Sequence, residues 1–158
     1  MEMRVHENVR DENDVLVTIE CITYNHAPYI RQALDSFLMQ ETNFRYEIVI
    51  HDDASTDGTQ DIIREYQEAY PDIIFPILQK ENQYSKHVDL DKFIMPLQRG
   101  RYVALCEGDD YWTDPKKLQM QFDYMEKNLG CSIFLHNTFI LDHRDPEKKL
   151  KKRQVNVP

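Results

Sequence analysis

Apolar residues along the chain form two alternating patterns, short runs rich in β-branched residues and stripes at helical spacing. The runs are typical of buried strands, and the stripes are typical of helices that pack one face on a sheet. The strand-like runs cover about residues 15–24, 46–51, 73–79, 101–107 and 131–141. Because strand and helix patterns alternate, the sequence predicts an α/β fold with a mostly parallel sheet flanked by helices.

Local signals place the helices between these strands. Pro28 suits the first turn of one helix, and Asp114 followed by Pro115 suits the start of another. A helix before the fourth strand is expected to be kinked or shortened by Pro96. The helix after the second strand has three candidate capping residues, which are Ser55, Thr56 and Asp57.

Two of the predicted strands end at adjacent acids. Asp52 and Asp53 follow the second strand, and Asp109 and Asp110 follow the fourth. Adjacent carboxylates at the end of a buried strand are costly to keep ionised unless a cation or hydrogen-bond donors meet them. Since ligands bind outside the carboxyl ends of the strands in an open α/β sheet, we expect both pairs at one ligand site.

Length, composition and charge limit the classes of protein to consider. The chain has 158 residues, 41% of them hydrophobic and 30% charged, which is typical of about one globular domain. Its formal charge of −9 argues against nucleic acid as a partner, because proteins that bind nucleic acids present a basic field. The patterned domain covers residues 15–141, after an N-terminal extension at 1–14 and before a basic tail at 142–158 that we expect to be solvated or disordered.

Cysteine usage and the lengths of the apolar runs bear on location. Cys21, Cys106 and Cys131 lie in apolar strand-like runs without metal-binding spacing, so we expect reduced core residues of a cytosolic protein. No apolar run approaches membrane-spanning length, and the charged N-terminus contains no hydrophobic signal region. The sequence therefore predicts no transmembrane segment and a cytoplasmic location.

Glycine placement restricts how a phosphorylated ligand would bind at the acidic edge. The four glycines form neither a dinucleotide-binding pattern nor a P-loop. A divalent cation would then have to stand between the carboxylates and the phosphate oxygens, and Mg²⁺ or Mn²⁺ prefers such oxygen ligands. The sequence contains neither the clustered His and Cys residues of a zinc site nor a nucleophile elbow.

Three ordered motifs carry a resemblance to a known family. Residues 22–25 are Ile-Thr-Tyr-Asn, residues 49–59 are Val-Ile-His-Asp-Asp-Ala-Ser-Thr-Asp-Gly-Thr, and residues 100–110 are Gly-Arg-Tyr-Val-Ala-Leu-Cys-Glu-Gly-Asp-Asp. In this order and spacing they resemble family 2 glycosyltransferases of GT-A fold, over about residues 15–141. The resemblance implies an inverting glycosyltransferase with a Rossmann-like sheet.

The resemblance also implies a nucleotide-diphospho-sugar donor, most often a UDP-sugar. Tyr24 would lie along the base, with Thr23 and Asn25 supplying polar contacts nearby. Asp53 would accept a hydrogen bond from the imide N–H of uracil, and Asp52 is the less favoured member of that pair.

The third motif is expected at the diphosphate. By the resemblance, Asp109 would contact ribose or sugar hydroxyls, and Asp110 would coordinate the Mn²⁺ or Mg²⁺ ion that bridges the diphosphate. The implied reaction is a single displacement in which an acceptor hydroxyl attacks the anomeric carbon and inverts its configuration. The acceptor would be a saccharide or a lipid-linked saccharide, and a lipid-linked acceptor would bring the protein to the periphery of a membrane.

Two features depart from the family pattern. No general base is identified in this sequence, because the family supplies it from a later segment together with the acceptor-binding elements. The loop after the third strand is Asn82-Gln83-Tyr84, where the family often has Asn-x-Gly. The sequence therefore predicts the donor-binding half of a transferase, truncated after the fifth strand.

Other interpretations remain open. The chain could bind a nucleotide sugar without transferring it. A receiver domain would need its acids after the first strand, and a nucleotidyltransferase would normally have a glycine-rich loop near its N-terminus. Each Asp pair could form an ordinary turn or cap, and Thr23 and Asn25 suit a strand end and a turn without any ligand. His51 is expected in the core, and Tyr111 and Trp112 are expected to serve packing.

Overall fold

A parallel four-stranded sheet organises the first of two compact units, which ends at Gln119. The computed structural model describes residues 14–141 and 150–153. The strands are β1 (Val15–Thr23), β2 (Arg45–Asp52), β3 (Ile74–Leu78) and β4 (Tyr102–Leu105), in the spatial order β3-β2-β1-β4. All pairings in this sheet are parallel, so the predicted α/β architecture is confirmed for these four strands.

Four helices accompany the strands in the described residues: α1 (Ile30–Leu38), α2 (Thr59–Ala69), α3 (Asp91–Ile94) and α4 (Lys117–Lys127). The apolar stripe of α1 is buried at Ile30, Leu34 and Phe37, as its helical spacing predicts. A 3₁₀ helix over Met95–Leu97 follows α3 directly and contains Pro96. The predicted shortening of this helix is therefore confirmed, because proline cannot continue an α-helical hydrogen-bond ladder.

The two central strands carry the core. From Glu47 to Asp52 every residue of β2 is buried, which is expected of a parallel strand covered on both faces. β1 adds the fully buried Ile19 and Cys21. Cys106 and Cys131 are partly exposed, so the prediction of core cysteines is confirmed for Cys21 and wrong for Cys106 and Cys131.

A buried carboxylate joins three segments near the amino ends of the strands. Glu47 accepts hydrogen bonds from Thr18 Oγ1 at 2.7 Å and from Arg99 backbone N at 2.7 Å and Nε at 2.6 Å. Thr18 Oγ1 in turn accepts from the Gly100 backbone N at 2.9 Å. Since a buried carboxylate is stable only with paired donors, this network fixes the entry to β4 against β1 and β2.

The second unit begins at Met120 and differs from the prediction. Its strand β5 covers only Thr138–Leu141 and pairs antiparallel with β6 (Leu150–Arg153). The predicted fifth strand at 131–141 is thus wrong in extent and does not join the parallel sheet, because alternation alone does not specify which strand a segment pairs with. Strand β6 also corrects the expectation of a disordered tail for residues 150–153.

Some predictions fall on residues that are not described. The proposed extension at 1–14 lies outside the described residues except for Asp14, and so do 142–149 and 154–158 of the basic tail. Within the described parts of the chain, no helix combines the length and the apolarity needed to cross a membrane.

His51 on β2 is a core residue, as predicted. Its ring stacks on Phe93 with centroids 5.8 Å apart, and Nε2 lies 3.2 Å from Gln79 Nε2. The Nδ1 atom is buried without a hydrogen-bond partner among the described residues. Burial lowers the pKa of His51, although the charges of Asp53 and Asp52 act in the opposite direction. The folded protein therefore holds this ring neutral.

Replacing Gly100 by Ala should destabilise the first unit. A Cβ atom there would lie 2.3 Å from Thr18 N and 2.6 Å from Val17 C, and both are backbone atoms that cannot move aside cheaply. We expect Gly100→Ala to lower the free energy of unfolding by about 1–3 kcal/mol in urea denaturation. Gly130→Ala is the matched control, because nothing lies within 4 Å of its added Cβ. Equal stability of the two variants would contradict the close approach of Gly100 to the backbone of β1.

His51 should make stability depend on pH in a defined direction. Below its ordinary pKa of about 6.5, the unfolded chain takes up a proton at His51 that the folded chain resists, so the free energy of unfolding should fall as the pH drops. The slope from this residue is at most about 1.4 kcal/mol per pH unit. Urea denaturation at pH 7.5 and at pH 5.5 should show a smaller decrease in the free energy of unfolding for His51→Asn than for the parent. His87 is exposed, and His87→Asn is the control that should leave the pH dependence of the unfolding free energy as in the parent. The parent's pH dependence in His51→Asn would contradict a role for His51.

Candidate functional site

The backbone ladder of β1 continues beyond the ends of the strands and brings the three motifs together. Asp53 N donates to Thr23 O at 3.0 Å, and Gly108 N donates to Ile22 O at 3.0 Å. Parallel strands place these segments at the same carboxyl edge of the sheet, where ligands bind in open α/β sheets. The predicted convergence of the two acidic pairs at one edge is therefore observed.

The first motif presents one exposed side chain and one buried one. Tyr24 is 47% exposed, whereas Thr23 is buried and its Oγ1 has no hydrogen-bond partner among the described residues. Asn25 has φ 54°, in the left-handed region that Asn tolerates. Its backbone N donates to Ser55 Oγ at 2.8 Å, and its Oδ1 accepts from Thr56 N at 2.9 Å. The motif is thus braced by the second motif.

Asp52 is enclosed by hydrogen-bond donors from its own turn and from α2. The fully buried carboxylate accepts from Ser55 N at 2.9 Å, Ser55 Oγ at 2.5 Å and Gln60 Nε2 at 2.6 Å. This is the turn-forming role that the sequence left open for Asp52, and it keeps the carboxylate away from solvent.

Asp57 joins the start of α2 to the loop after β1. Its Oδ2 accepts from Ala27 N at 3.0 Å, and its Oδ1 accepts from Thr59 N at 3.1 Å and Thr59 Oγ1 at 2.6 Å. Burial opposes ionisation, but these hydrogen bonds outweigh it and lower the pKa of Asp57. The N-cap residue itself is Gly58, at φ 98°, so of the three predicted capping residues only Asp57 bonds to the first turn.

Asp53 is buried beneath the loop that follows β3. It is 2% exposed, and its two carboxylate oxygens accept from the backbone N–H groups of Gln83 at 2.7 Å and Tyr84 at 3.0 Å. Each carboxylate oxygen can accept more than one hydrogen bond, so this arrangement leaves acceptor capacity. Ala54, the next residue, has φ 67°, a conformation that is costly for Ala and therefore marks local strain.

Asp109 and Asp110 are the exposed members of the acidic set. Although the Asp110 side chain is exposed, partial desolvation of its carboxyl, and then the charge of Asp109, raise its pKa, while His26 acts in the opposite direction. His26 Nε2 lies 3.8 Å from Asp109 Oδ2. Two like charges therefore share one edge, and the imidazole of His26 lies beside them.

Gly108 sets the close approach of this pair to the first motif. A Cβ at Gly108 would lie 2.6 Å from Thr23 Oγ1 and 3.1 Å from His26 Nδ1. His26 Nδ1, like Thr23 Oγ1, is buried without a partner in the described part of the chain. Sequence reasoning missed both Gly108 and His26, although His26 directly follows the Thr-Tyr-Asn motif and Gly108 directly precedes the acidic pair.

Of the two aromatic residues beyond the acidic pair, Trp112 is a packing residue as predicted, whereas Tyr111 is exposed and the packing prediction is wrong for it. Trp112 is buried, with its ring 4.9 Å from that of Phe37, and the Lys117 ammonium lies 3.9 Å from the centre of the Trp112 ring. Burial lowers the pKa of Lys117 to about 8. Lys86 is exposed and pairs with Glu81, which is consistent with a solvated loop lysine.

Comparison with known proteins places the chain in a known family. Residues 18–152 match the family model described as Glycosyl transferase family 2. An uncharacterised protein of Mycobacterium tuberculosis is 46% identical over 120 residues, covering 76% of this chain and 34% of that protein. The Escherichia coli protein WfaP, a UDP-Glc:alpha-D-GlcNAc-diphosphoundecaprenol beta-1,3-glucosyltransferase, is 34% identical over 112 residues, covering 70% of this chain and 41% of WfaP. The chain thus spans about a third to two fifths of the length of these relatives.

Solved structures show the same fold. The mannosyltransferase PcManGT from Pyrobaculum calidifontis, in complex with GDP-Man and Mn²⁺, superimposes with a TM-score of 0.60 at 28% identity over 73% of this chain and 34% of that one. Staphylococcus aureus TarS in complex with UDP gives a TM-score of 0.61 at 22% identity, over 73% and 33%. The predicted GT-A architecture is therefore confirmed.

Neutralising Asp110 should stabilise the fold. Since partial desolvation of its carboxyl and the charge of Asp109 disfavour the ionised form of the exposed Asp110, and solvent screens charges at exposed positions, Asp110→Asn should raise the melting temperature at pH 7 by on the order of 1 °C. Differential scanning calorimetry measures this change, with the exposed Asp72→Asn as the control that should leave the melting temperature nearly unchanged. A lower melting temperature for Asp110→Asn would contradict the repulsion argument.

Proposed function

Because its sequence matches the family over most of its length, the chain belongs to glycosyl transferase family 2, and we propose that its acidic edge binds a nucleotide-diphospho-sugar donor for an inverting transfer to an acceptor hydroxyl. The observation that carries the proposal is the convergence at β1, where Asp53 N bonds to Thr23 O and Gly108 N bonds to Ile22 O. This convergence supports a single crevice with a base end and a diphosphate end.

The base end consists of the first two motifs. Tyr24 is exposed at the strand end and would lie along the base, with Asn25 and the buried Thr23 beside it. Asp53 would accept from the imide N–H of uracil with an acceptor site that the loop N–H groups leave unused. Asp52 would hold the turn beneath the nucleotide. The glucosyltransferase relative named for UDP-Glc supports a UDP-sugar as the donor.

The diphosphate end fits a divalent cation. Asp109 and Asp110 are exposed neighbours whose mutual repulsion a cation would relieve. Among the residues with described positions, no three His, Cys, Asp or Glu side chains are grouped to hold a metal by themselves. An ion bound by Asp110 would therefore take further ligands from the donor phosphates, as Mg²⁺ commonly does. The Mn²⁺ complex of the mannosyltransferase neighbour supports such an ion.

The residues of this edge have distinct roles in the proposed transfer. Asp109 would orient the donor through ribose or sugar hydroxyls, and His26 beside it would limit the movement of the carboxylate. The cation, when bound, would offset the charge that builds on the departing diphosphate. Attack by the acceptor from the opposite face would invert the anomeric centre.

The proposed acceptor is a saccharide or a lipid-linked saccharide. The relative named for a diphosphoundecaprenol acceptor supports the lipid-linked class, which belongs to polysaccharide assembly at a membrane. We accordingly propose a cytoplasmic protein that works at the membrane surface through its acceptor. The three free cysteines support a reducing compartment.

Calorimetric titration with UDP, in Mn²⁺ and in EDTA, tests the donor site. We expect binding that depends on the metal, and we expect Asp110→Asn to weaken it more than tenfold, equivalent to about 1.4 kcal/mol. GDP is titrated in parallel, because one structural neighbour holds GDP-Man.

Asp72→Asn is again the matched control and should bind UDP like the parent. Equal affinity in Mn²⁺ and EDTA would exclude a role for the cation in binding. Failure of the parent to bind either nucleotide would overturn the proposed function.

A further inference from the structure

Tyr84 is an exposed aromatic side chain on a loop with a well-defined backbone. It is 76% exposed at the start of a 3₁₀ helix over Tyr84–Lys86, which follows β3. Exposed tyrosines on mobile loops need no explanation, but a backbone fixed by many hydrogen bonds carries an ordering cost. The hydrogen-bonded backbone therefore holds Tyr84 at a defined position next to Asp53.

Hydrogen bonds within the loop and three to Asp53 fix its backbone. Both carboxylate oxygens of Asp53 accept from the loop, one from Gln83 N and one from Tyr84 N. The Asp53 carbonyl oxygen accepts from Asn82 Nδ2 at 3.1 Å, and Asn82 Oδ1 accepts from Ser85 N at 2.7 Å. A residue expected to recognise the base is therefore also the residue that positions Tyr84.

Strand order places two exposed tyrosines around Asp53. The order β3-β2-β1 puts the segment after β2, which contains Asp53, between the segments after β3 and β1. Tyr84 belongs to the first of these flanking segments and Tyr24 to the second. Tyr84 N–H donates to the Asp53 carboxylate, and Asp53 N–H donates to the carbonyl of Thr23, the residue before Tyr24.

We propose that Tyr84 forms a wall of the nucleobase site, against which the face of the donor base packs. The inference rests on the proposed function, since it requires a nucleotide at this edge. An aromatic side chain contacts the π-face of any base, whereas a carboxylate such as Asp53 distinguishes bases by their hydrogen-bonding edge. Tyr84 would thus supply affinity, and Asp53 would supply selection.

The different chemistry of the two contacts makes the proposal testable by titration with UDP and CDP in Mn²⁺. Base stacking on an aromatic residue typically contributes enough that its loss weakens binding about tenfold. We expect Tyr84→Ala to weaken UDP and CDP by the same factor, because stacking does not depend on the edge of the base. Tyr84→Phe keeps the ring and should bind both nucleotides within about threefold of the parent.

Tyr70→Ala is the matched control. Tyr70 is also an exposed tyrosine, but it lies between the end of α2 and the start of β3, at the opposite edge of the sheet. It should leave both affinities unchanged. If the parent binds UDP and Tyr84→Ala binds it equally well, the inference is overturned while the donor site stands. If the parent binds no nucleotide, the proposed function fails and the inference fails with it.

Nitration of the unaltered protein gives a second measurement that does not depend on how the alanine variant folds. Tetranitromethane modifies exposed tyrosines, and peptide mapping by mass spectrometry reports each one separately. UDP with Mn²⁺ should slow nitration of Tyr84 several-fold while Tyr70 reacts at its original rate. Equal nitration of Tyr84 with and without saturating UDP would contradict the packing of the base against Tyr84.

Discussion

The parallel ladder on β1 determines where the three motifs lie. β1 pairs with β2 on one side and β4 on the other, and the same hydrogen-bonding pattern continues past the strands to Asp53 and Gly108. Because backbone groups in a buried sheet must be paired, the ladder leaves little freedom in where these segments lie. Asp53 and Gly108, which lie 55 positions apart in the sequence, are thereby brought to one edge together with the first motif.

The acids at this edge differ in how their charge is met. Asp52 and Asp53 are buried and enclosed by donors from the turn, α2 and the loop after β3, so they stabilise the local backbone as well as the site. Asp109 and Asp110 are exposed, and partial desolvation of the Asp110 carboxyl and the charge of Asp109 raise its pKa. The fold thus gives the first pair internal donors and leaves the second pair open to a ligand, while Asp53 keeps the spare acceptor capacity that the proposed base contact uses.

Contacts beyond the two acidic pairs also fix the backbone at this edge. Asp57 bonds to the loop after β1 and to the first turn of α2, and Gly108 permits an approach to Thr23 that no larger residue could make. At the other end of the strands, Glu47 fixes the entry to β4 through Arg99. Strain at Ala54 is held in place by this surrounding structure.

Hydrophobic periodicity, turn residues and the three motifs were enough to predict four parallel strands, the helices between them and one acidic edge, because these features arise from local spacing and from the rules of parallel sheets. They could not predict that only part of the 131–141 run would form a strand, β5, or that β5 would pair with β6. The alternation of apolar residues does not specify which strand a segment pairs with. Nor could they predict that Asp53 would hold the Tyr84 loop or that His26 would lie beside Asp109. Those contacts join residues far apart in sequence, so only tertiary packing decides them.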